Sequence, residues 1–250
     1  MARMNEQPLQ KAVRQKKGNI MKKNYTHISI ILDRSGSMES IREDIIGGFN
    51  AFVEEQKKDE GETTLTLVQF DSQNPYEVIH NFRSISSVPL LTKKDFVPRS
   101  MTPLLDAMGR GINDLESNLS EMKLKDRPEK VVMVFITDGL ENDSSEFKRS
   151  QIVKMLEDKQ EKNNWKMVFL SADLSALDEA EDAGVKYEST MAFDSSPEGV
   201  SNAMGSLSRN ISNYKANRIK DVSFMESDRI LQKSETLRRP RQNSTKRPTK

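Results

Sequence analysis

Short apolar runs alternate along this chain with stretches in which apolar residues recur every three or four positions. That alternation predicts strands interleaved with helices. The first run, His27-Ile28-Ser29-Ile30-Ile31-Leu32, ends at Asp33 and fits a buried strand. Ser40 to Lys58 then places Ile41, Ile45, Gly48, Phe49, Phe52 and Val53 on one helical face. Thr63 to Phe70 reads as a strand ending at Asp71, Ser72 to Pro75 as a turn, and Glu77 to Phe82 as an antiparallel edge strand. Thr102-Pro103 opens a helix carrying Leu104, Leu105, Met108, Ile112 and Leu115, with proline at the first helical position. Lys130 to Thr137 is the most apolar run and is expected to be a central strand. A helix over Ser145 to Lys162, a strand over Trp165 to Leu170 and a helix over Leu174 to Ala183 stopped by Gly184 follow. Val185 to Ser189 is expected to be the last strand, and Ser196-Pro197 to start a final helix through Val200, Met204, Leu207 and Ile211 towards Ile219.

Strands in alternation with helices imply an α/β fold. The expected architecture is a three-layer, doubly wound, Rossmann-like sheet, mostly parallel, with one antiparallel edge strand and helices on both faces. The pattern covers residues 24–219. Residues 1–23 and 220–250 lack it and read as a disordered basic extension and a basic, mostly disordered tail. Met21-Lys22-Lys23 directly precedes the first strand, so Met21 is a second candidate start beside Met1.

Charge sharpens this division. The chain of 250 residues has a net charge of +1, but residues 1–23 carry +6 (7 basic, 1 acidic) and residues 209–250 carry +8 (12 basic, 4 acidic). Residues 24–208 therefore carry 1 − 6 − 8 = −13. Cysteine is absent, which excludes disulfides and thiolate metal sites. No run of 18 apolar residues exists to span a membrane, and the N-terminus lacks a signal-peptide apolar stretch, so a cytoplasmic location is expected. The basic ends lack interleaved aromatics, and weak phosphate contact is the most they offer a nucleic acid.

In an open parallel sheet, ligands sit beyond the carboxyl ends of the strands. Three such places here carry oxygen-bearing side chains: Asp33-Arg34-Ser35-Gly36-Ser37, Ser100-Met101-Thr102-Pro103 and Thr137-Asp138-Gly139. Hard oxygens without nitrogen or sulfur suit Mg²⁺, Mn²⁺ or Ca²⁺ and count against zinc. Taken singly, Asp33 and Asp138 fit helix capping as well as metal binding. The ordered set of three favours metal. Asp71 reads as a turn residue before a supporting acid, His27 and His80 as structural, and Glu141, Asp143 and Glu146 as a solvated helix start.

This ordered set resembles the metal-ion-dependent adhesion site of von Willebrand factor A domains, of the intracellular, bacterial or phage single-domain type. The resemblance spans residues 25 to about 215. It implies that Ser35, Ser37 and Thr102 bind the metal through hydroxyls and that Asp33 and Asp138 bind mainly through waters. Met101 departs from the pattern, since many relatives carry glycine before the threonine. The resemblance further implies a Mg²⁺-dependent, non-enzymatic binding module whose protein partner supplies an Asp or Glu carboxylate. Intracellular relatives work beside AAA-type ATPases and in tellurite-resistance and phosphorylation-linked systems. The competing enzyme reading, a metal-dependent phosphatase of the haloacid dehalogenase type, wants a second aspartate two residues after Asp33, where Ser35 stands. A serine hydrolase fits less well, because neither histidine belongs to a motif.

Overall fold

The computed structural model describes residues 21–232. The expected extension before Met21 and the tail beyond Gln232 lie outside the described residues. Six strands form one sheet in the order β3-β2-β1-β4-β5-β6: β1 Lys22–Asp33, β2 Glu62–Asp71, β3 Asn74–Ser84, β4 Pro128–Thr137, β5 Lys166–Ser171 and β6 Thr190–Ala192. Every neighbouring pair is parallel except β2–β3, which makes β3 an antiparallel edge. The helices are α1 Arg42–Gln56, α2 Leu104–Glu121, α3 Arg149–Asn163, α4 Leu174–Asp182, α5 Pro197–Lys215 and the short α6 Glu226–Ile230.

The period-2 geometry of a strand explains why the central runs are apolar throughout. On β1, Ile28, Ile30 and Leu32 enter one core layer and Ile31 the other; on β4, Val132, Val134 and Ile136 face the first layer and Val131, Met133 and Phe135 the second. Helices α1 and α5 cover the first face with Phe49, Phe52, Val53, Met204, Leu207 and Ile211. Helices α2, α3 and α4 cover the second with Met108, Ile112, Leu156 and Leu177. Gly48 lets α1 and α5 approach closely: a Cβ there would stand 2.8 Å from Met204 Cγ. With both faces covered, the ends of β1 and β4 are where polar groups can gather, and these two strands are the centre of the sheet.

Three local expectations are corrected. The last strand is Thr190–Ala192, because Val185 closes the turn after α4, its N–H bonding to Ala180 O at 3.0 Å, and Tyr187–Ser189 form a 3-10 turn. Helix α3 begins at Arg149 rather than Ser145, since the amides of Ser145, Glu146 and Phe147 bond to Asp106 instead of starting a helix. The packed chain also runs past residue 219. Val222 and Phe224 are buried in the first core layer, and Asp228 of α6 pairs with Arg209 of α5.

His27 is fully buried, stacked on Phe82 at 3.8 Å between ring centroids, with Nδ1 2.9 Å from Thr64 Oγ1. Burial disfavours the imidazolium and lowers its pKa from 6.5 to about 3. Below pH 6.5 the unfolded chain binds a proton here that the folded chain refuses until about pH 3. Stability from this residue is therefore complete above pH 6.5 and is lost as pH falls, by about 1.4 kcal/mol per unit. Between pH 7 and pH 5 the loss is about 2 kcal/mol. Urea midpoints of wild type and His27→Gln at both pH values measure it. The variant should lose that much less stability on acidification, and identical pH dependence would clear His27 of the role.

Candidate metal-binding site

The site forms where the central strands end. Asp33 closes β1 and is fully buried. Its carboxylate accepts the Ser35 N–H at Oδ1 (2.6 Å) and the Thr137 hydroxyl at Oδ2 (2.6 Å), so the last residue of β4 is bonded to the last residue of β1. The bend this imposes brings Ser35 Oγ to 3.2 Å from Ser37 Oγ. Ser37 Oγ in turn donates to Asp138 Oδ1 at 2.7 Å. Four of the five expected ligands, Asp33, Ser35, Ser37 and Asp138, thus belong to one hydrogen-bonded cluster.

The loop that carries Thr102 is tied through its backbone to the loops that carry the cluster. It is joined to the first loop by Gly36 N–H to Ser100 O (3.0 Å) and Arg99 N–H to Arg34 O (2.9 Å). A Cβ on Gly36 would meet Ser100 O at 3.4 Å, so the close approach favours glycine there. The Thr102 N–H donates to Asn142 Oδ1 (2.8 Å), and the Asn142 N–H returns to Thr102 O (3.2 Å). All three loops are therefore tied to one another, and Thr102 is buried to 3% exposure.

Several supporting residues escaped the sequence reading. Asn142 holds Thr102, and the acid-rich run just after Asp138 was the only local hint of it. Asp106 accepts three amides, from Ser145, Glu146 and Phe147, at 2.8–2.9 Å. Glu141 was expected in a solvated helix start. Instead its carboxylate accepts the N–H groups of Leu105 (2.8 Å), Asp143 (2.9 Å) and Ser144 (2.6 Å) and braces the third loop against α2. Glu146 pairs with Arg110 at 2.6 Å. Asp71 does hold its turn, accepting Gln73 N–H and Asn74 N–H, but it also binds Arg34 and Arg99, one from each of two site loops.

The donor set suits a hard cation. The Asp33 carboxylate lies in the interior with neutral hydrogen-bond partners. Burial outweighs those bonds and pushes its pKa up to about 7, with the Asp138 charge adding a smaller push. Burial also raises Asp138. Two carboxylates that burial makes costly to ionise, next to convergent hydroxyls, form a place where a cation would offset a charge the fold leaves uncompensated. Among the described residues no group of three or more His, Cys, Asp or Glu is placed to hold a metal. The set assembled here differs in kind, because hydroxyls make up most of it.

No family model matches the chain, and no curated protein matches it. Solved structures do. Proximal thread matrix protein 1 from the mussel byssus, with a zinc-occupied MIDAS motif, superposes with a TM-score of 0.52 at 16% identity, over 75% of this chain and 46% of that one. The pilus adhesin SpaC from Lactobacillus rhamnosus GG, in an open conformation, gives a TM-score of 0.57 at 11% identity, over 77% of this chain and 30% of that one. The fold is that of a von Willebrand factor A domain. Its six strands with a single antiparallel edge, and its helices on both faces, are the architecture the sequence pattern implies. This von Willebrand factor A fold spans less than half the length of the two chains it superposes on, and at these identities the likeness concerns the fold.

Proposed function

We propose that this domain is a divalent-metal-dependent protein-binding module rather than an enzyme, and that it captures a carboxylate from a partner protein. The observation that carries the reading is the cluster of Ser35, Ser37 and Asp138 on the bend set by Asp33. Ser35, Ser37 and Thr102 would hold the ion through their hydroxyls, and Asp33 and Asp138 would orient it through waters. A divalent cation bound mainly by neutral hydroxyls keeps much of its charge and an exchangeable position for an external carboxylate oxygen. The chain's own residues do the rest. Asp33 fixes the bend that aims Ser35, Ser37 accepts the orientation that Asp138 imposes, and Asn142 fixes the backbone of Thr102.

Mg²⁺ is the favoured ion for an all-oxygen set, with Mn²⁺ or Ca²⁺ next. Zinc in the motif of the mussel protein makes zinc a further ion to test. Among the described residues no helix is long and apolar enough to cross a membrane. The resemblance to intracellular relatives, and not this absence, extends the proposal to a cytoplasmic module working beside an ATPase or a stress-response or phosphorylation system. The −13 charge of residues 24–208 does not bar an acidic ligand. Long-range repulsion is screened within about 8–10 Å at physiological salt, so it slows association more than it weakens the bound state.

Titration calorimetry with Mg²⁺, Mn²⁺, Ca²⁺ and Zn²⁺, together with affinity capture from cell extract in Mg²⁺ and in chelator, tests the reading. Thr102→Ala should leave the melting temperature nearly unchanged and weaken metal binding by about tenfold or more, because one ligand is lost while the loop backbone stays bonded. Capture that is equally strong in chelator would end the metal-dependent reading and leave the fold untouched.

A further inference from the structure

Among the described residues, two of the large apolar side chains left in solvent stand next to the proposed metal ligands: Met101 at 48% exposure, one residue before Thr102, and Leu140 at 38%, two residues after Asp138. Scattered exposed apolar residues are ordinary on protein surfaces. These two stand on the loops that carry proposed ligands, and their backbone is held there. Ser72 grips Met101 on both sides, accepting its N–H at Oγ (3.1 Å) and donating its own N–H to Met101 O (3.1 Å). Ser100, just before it, takes a left-handed backbone with φ 64°, which is uncommon for a residue other than glycine, and its hydroxyl lies 2.5 Å from Ser72 Oγ. Such a conformation persists only where its surroundings over-determine it, and it is found preferentially at ligand sites. Leu140 sits on the loop that the paired Thr102–Asn142 hydrogen bonds and the Glu141 carboxylate fix. A rigid backbone thus presents both side chains to solvent beside the hydroxyl cluster.

We propose that Met101 and Leu140 form an apolar rim to the metal site, and that the rim selects protein segments in which a single acidic residue is flanked by apolar side chains. This rests on the metal-dependent reading above. Charge on the same loops points the same way. Glu141 and Asp143 disfavour a run of acidic residues, and Arg99, the partly exposed cation on the Met101 loop, is already paired with Asp71, so a ligand with one carboxylate and basic residues further out suits the surface best. With the carboxylate committed to the ion, further affinity must come from apolar contact, and the rim is where it is available. Methionine is unbranched and polarisable, so it adapts to flanking residues of different shape. A glycine at 101 would offer no such contact.

The experiment uses the full chain and four synthetic peptides with identical lysine-terminated serine arms. They differ only at the centre: Leu-Glu-Leu, Gly-Glu-Gly, Leu-Gln-Leu and Gly-Gln-Gly. Binding is read by fluorescence anisotropy in Mg²⁺ and in chelator, with Mn²⁺ affinity measured separately. Leu-Glu-Leu is expected to bind about tenfold or more tightly than Gly-Glu-Gly, equivalent to about 1.4 kcal/mol, and only with metal present. In Met101→Ser/Leu140→Ser, with an unchanged circular dichroism spectrum, that preference should fall to about twofold or less. Equal binding of the two glutamate peptides overturns the rim proposal, and so does a preference that survives the double substitution. Failure of both glutamate peptides to bind a chain that does take up Mn²⁺ also overturns it. If Leu-Gln-Leu binds as well as Leu-Glu-Leu, or chelator changes nothing, the metal-dependent reading itself fails, which is a separable result.

Discussion

Replacing Asp71 with alanine should destabilise the domain by about 3–5 kcal/mol, the range found when one partner of a buried ion pair is removed. The Asp71 carboxylate is fully buried, and the Arg34 side chain is 6% exposed. Arg34 Nε donates to Asp71 Oδ2 at 2.6 Å, and Arg34 Nη1 reaches Gln69 Oε1 at 3.3 Å and pairs with Glu77. Without Asp71 the guanidinium stays inside the protein with only the partly exposed Glu77 to balance it. The amides of Gln73 and Asn74, which donate to Asp71 Oδ1 at 2.7 and 3.0 Å, lose their acceptor as well. Arg99 makes the contrasting case. It bonds to the same carboxylate at 3.1 Å, but its side chain is 40% exposed, so Arg99→Ala should cost no more than about 1 kcal/mol. Urea unfolding of the two variants separates them. A loss under about 1 kcal/mol for Asp71→Ala would mean that water reaches Arg34 readily and that the pair is not a structural hub. Because Arg34 lies between Asp33 and Ser35, and Arg99 lies three residues before Thr102, the network also sets the spacing of two site loops.

The hub shows why some of this molecule was legible in the sequence and some was not. Strand and helix identities came through because they are local periodicities, and β1 and β4 must bury both faces. The Asp33-Arg34-Ser35-Gly36-Ser37 and Thr137-Asp138-Gly139 segments stood out as an ordered set of oxygen-bearing strand ends, and the fold brings their side chains into one hydrogen-bonded cluster. The roles of Asp71, Asp106 and Asn142 were not, since each acts on groups distant in sequence. Asp106 takes amides about 40 residues away, so nothing in the local pattern of residues 145–148 shows that their helix starts late. The last strand was misplaced for a similar reason. Val185 is apolar because it is buried in the turn after α4, whereas Thr190–Ala192 is too short to show any alternation. Val222 and Phe224 looked like stray apolar residues after a fading pattern. They are anchored from afar, with Phe224 N–H on Glu188 O at 2.7 Å and the Ser189 hydroxyl on Val222 O at 2.8 Å.

Asp33→Asn is expected to separate function from stability, abolishing metal binding while leaving the metal-free domain as stable as wild type or more so. In the absence of metal, the Asp33 carboxylate is a buried charge whose hydrogen-bond partners, the Ser35 amide and the Thr137 hydroxyl, are neutral. Burying such a charge costs several kcal/mol that a neutral isostere does not. Asparagine can keep both contacts. Its carbonyl accepts the Ser35 N–H, and its amide donates to Thr137 Oγ1, whose hydroxyl is then free to donate to Gly139 O, already at 3.2 Å. The bend that sets Ser35 and Ser37 therefore survives, and what disappears is the negative charge that would face the proposed ion. In chelator at pH 8, unfolding free energy should rise by on the order of 2 kcal/mol, while Mg²⁺ and Mn²⁺ affinity should fall by ~100-fold or more. Partner capture should fall with it. The opposed signs matter, because a substitution that merely loosened the fold would lower both quantities together. Wild-type metal affinity in the variant would remove Asp33 from the site. Lower stability in chelator would show that its carboxylate is held by more than the neutral contacts seen here, and that the fold rather than the ion is what needs its charge.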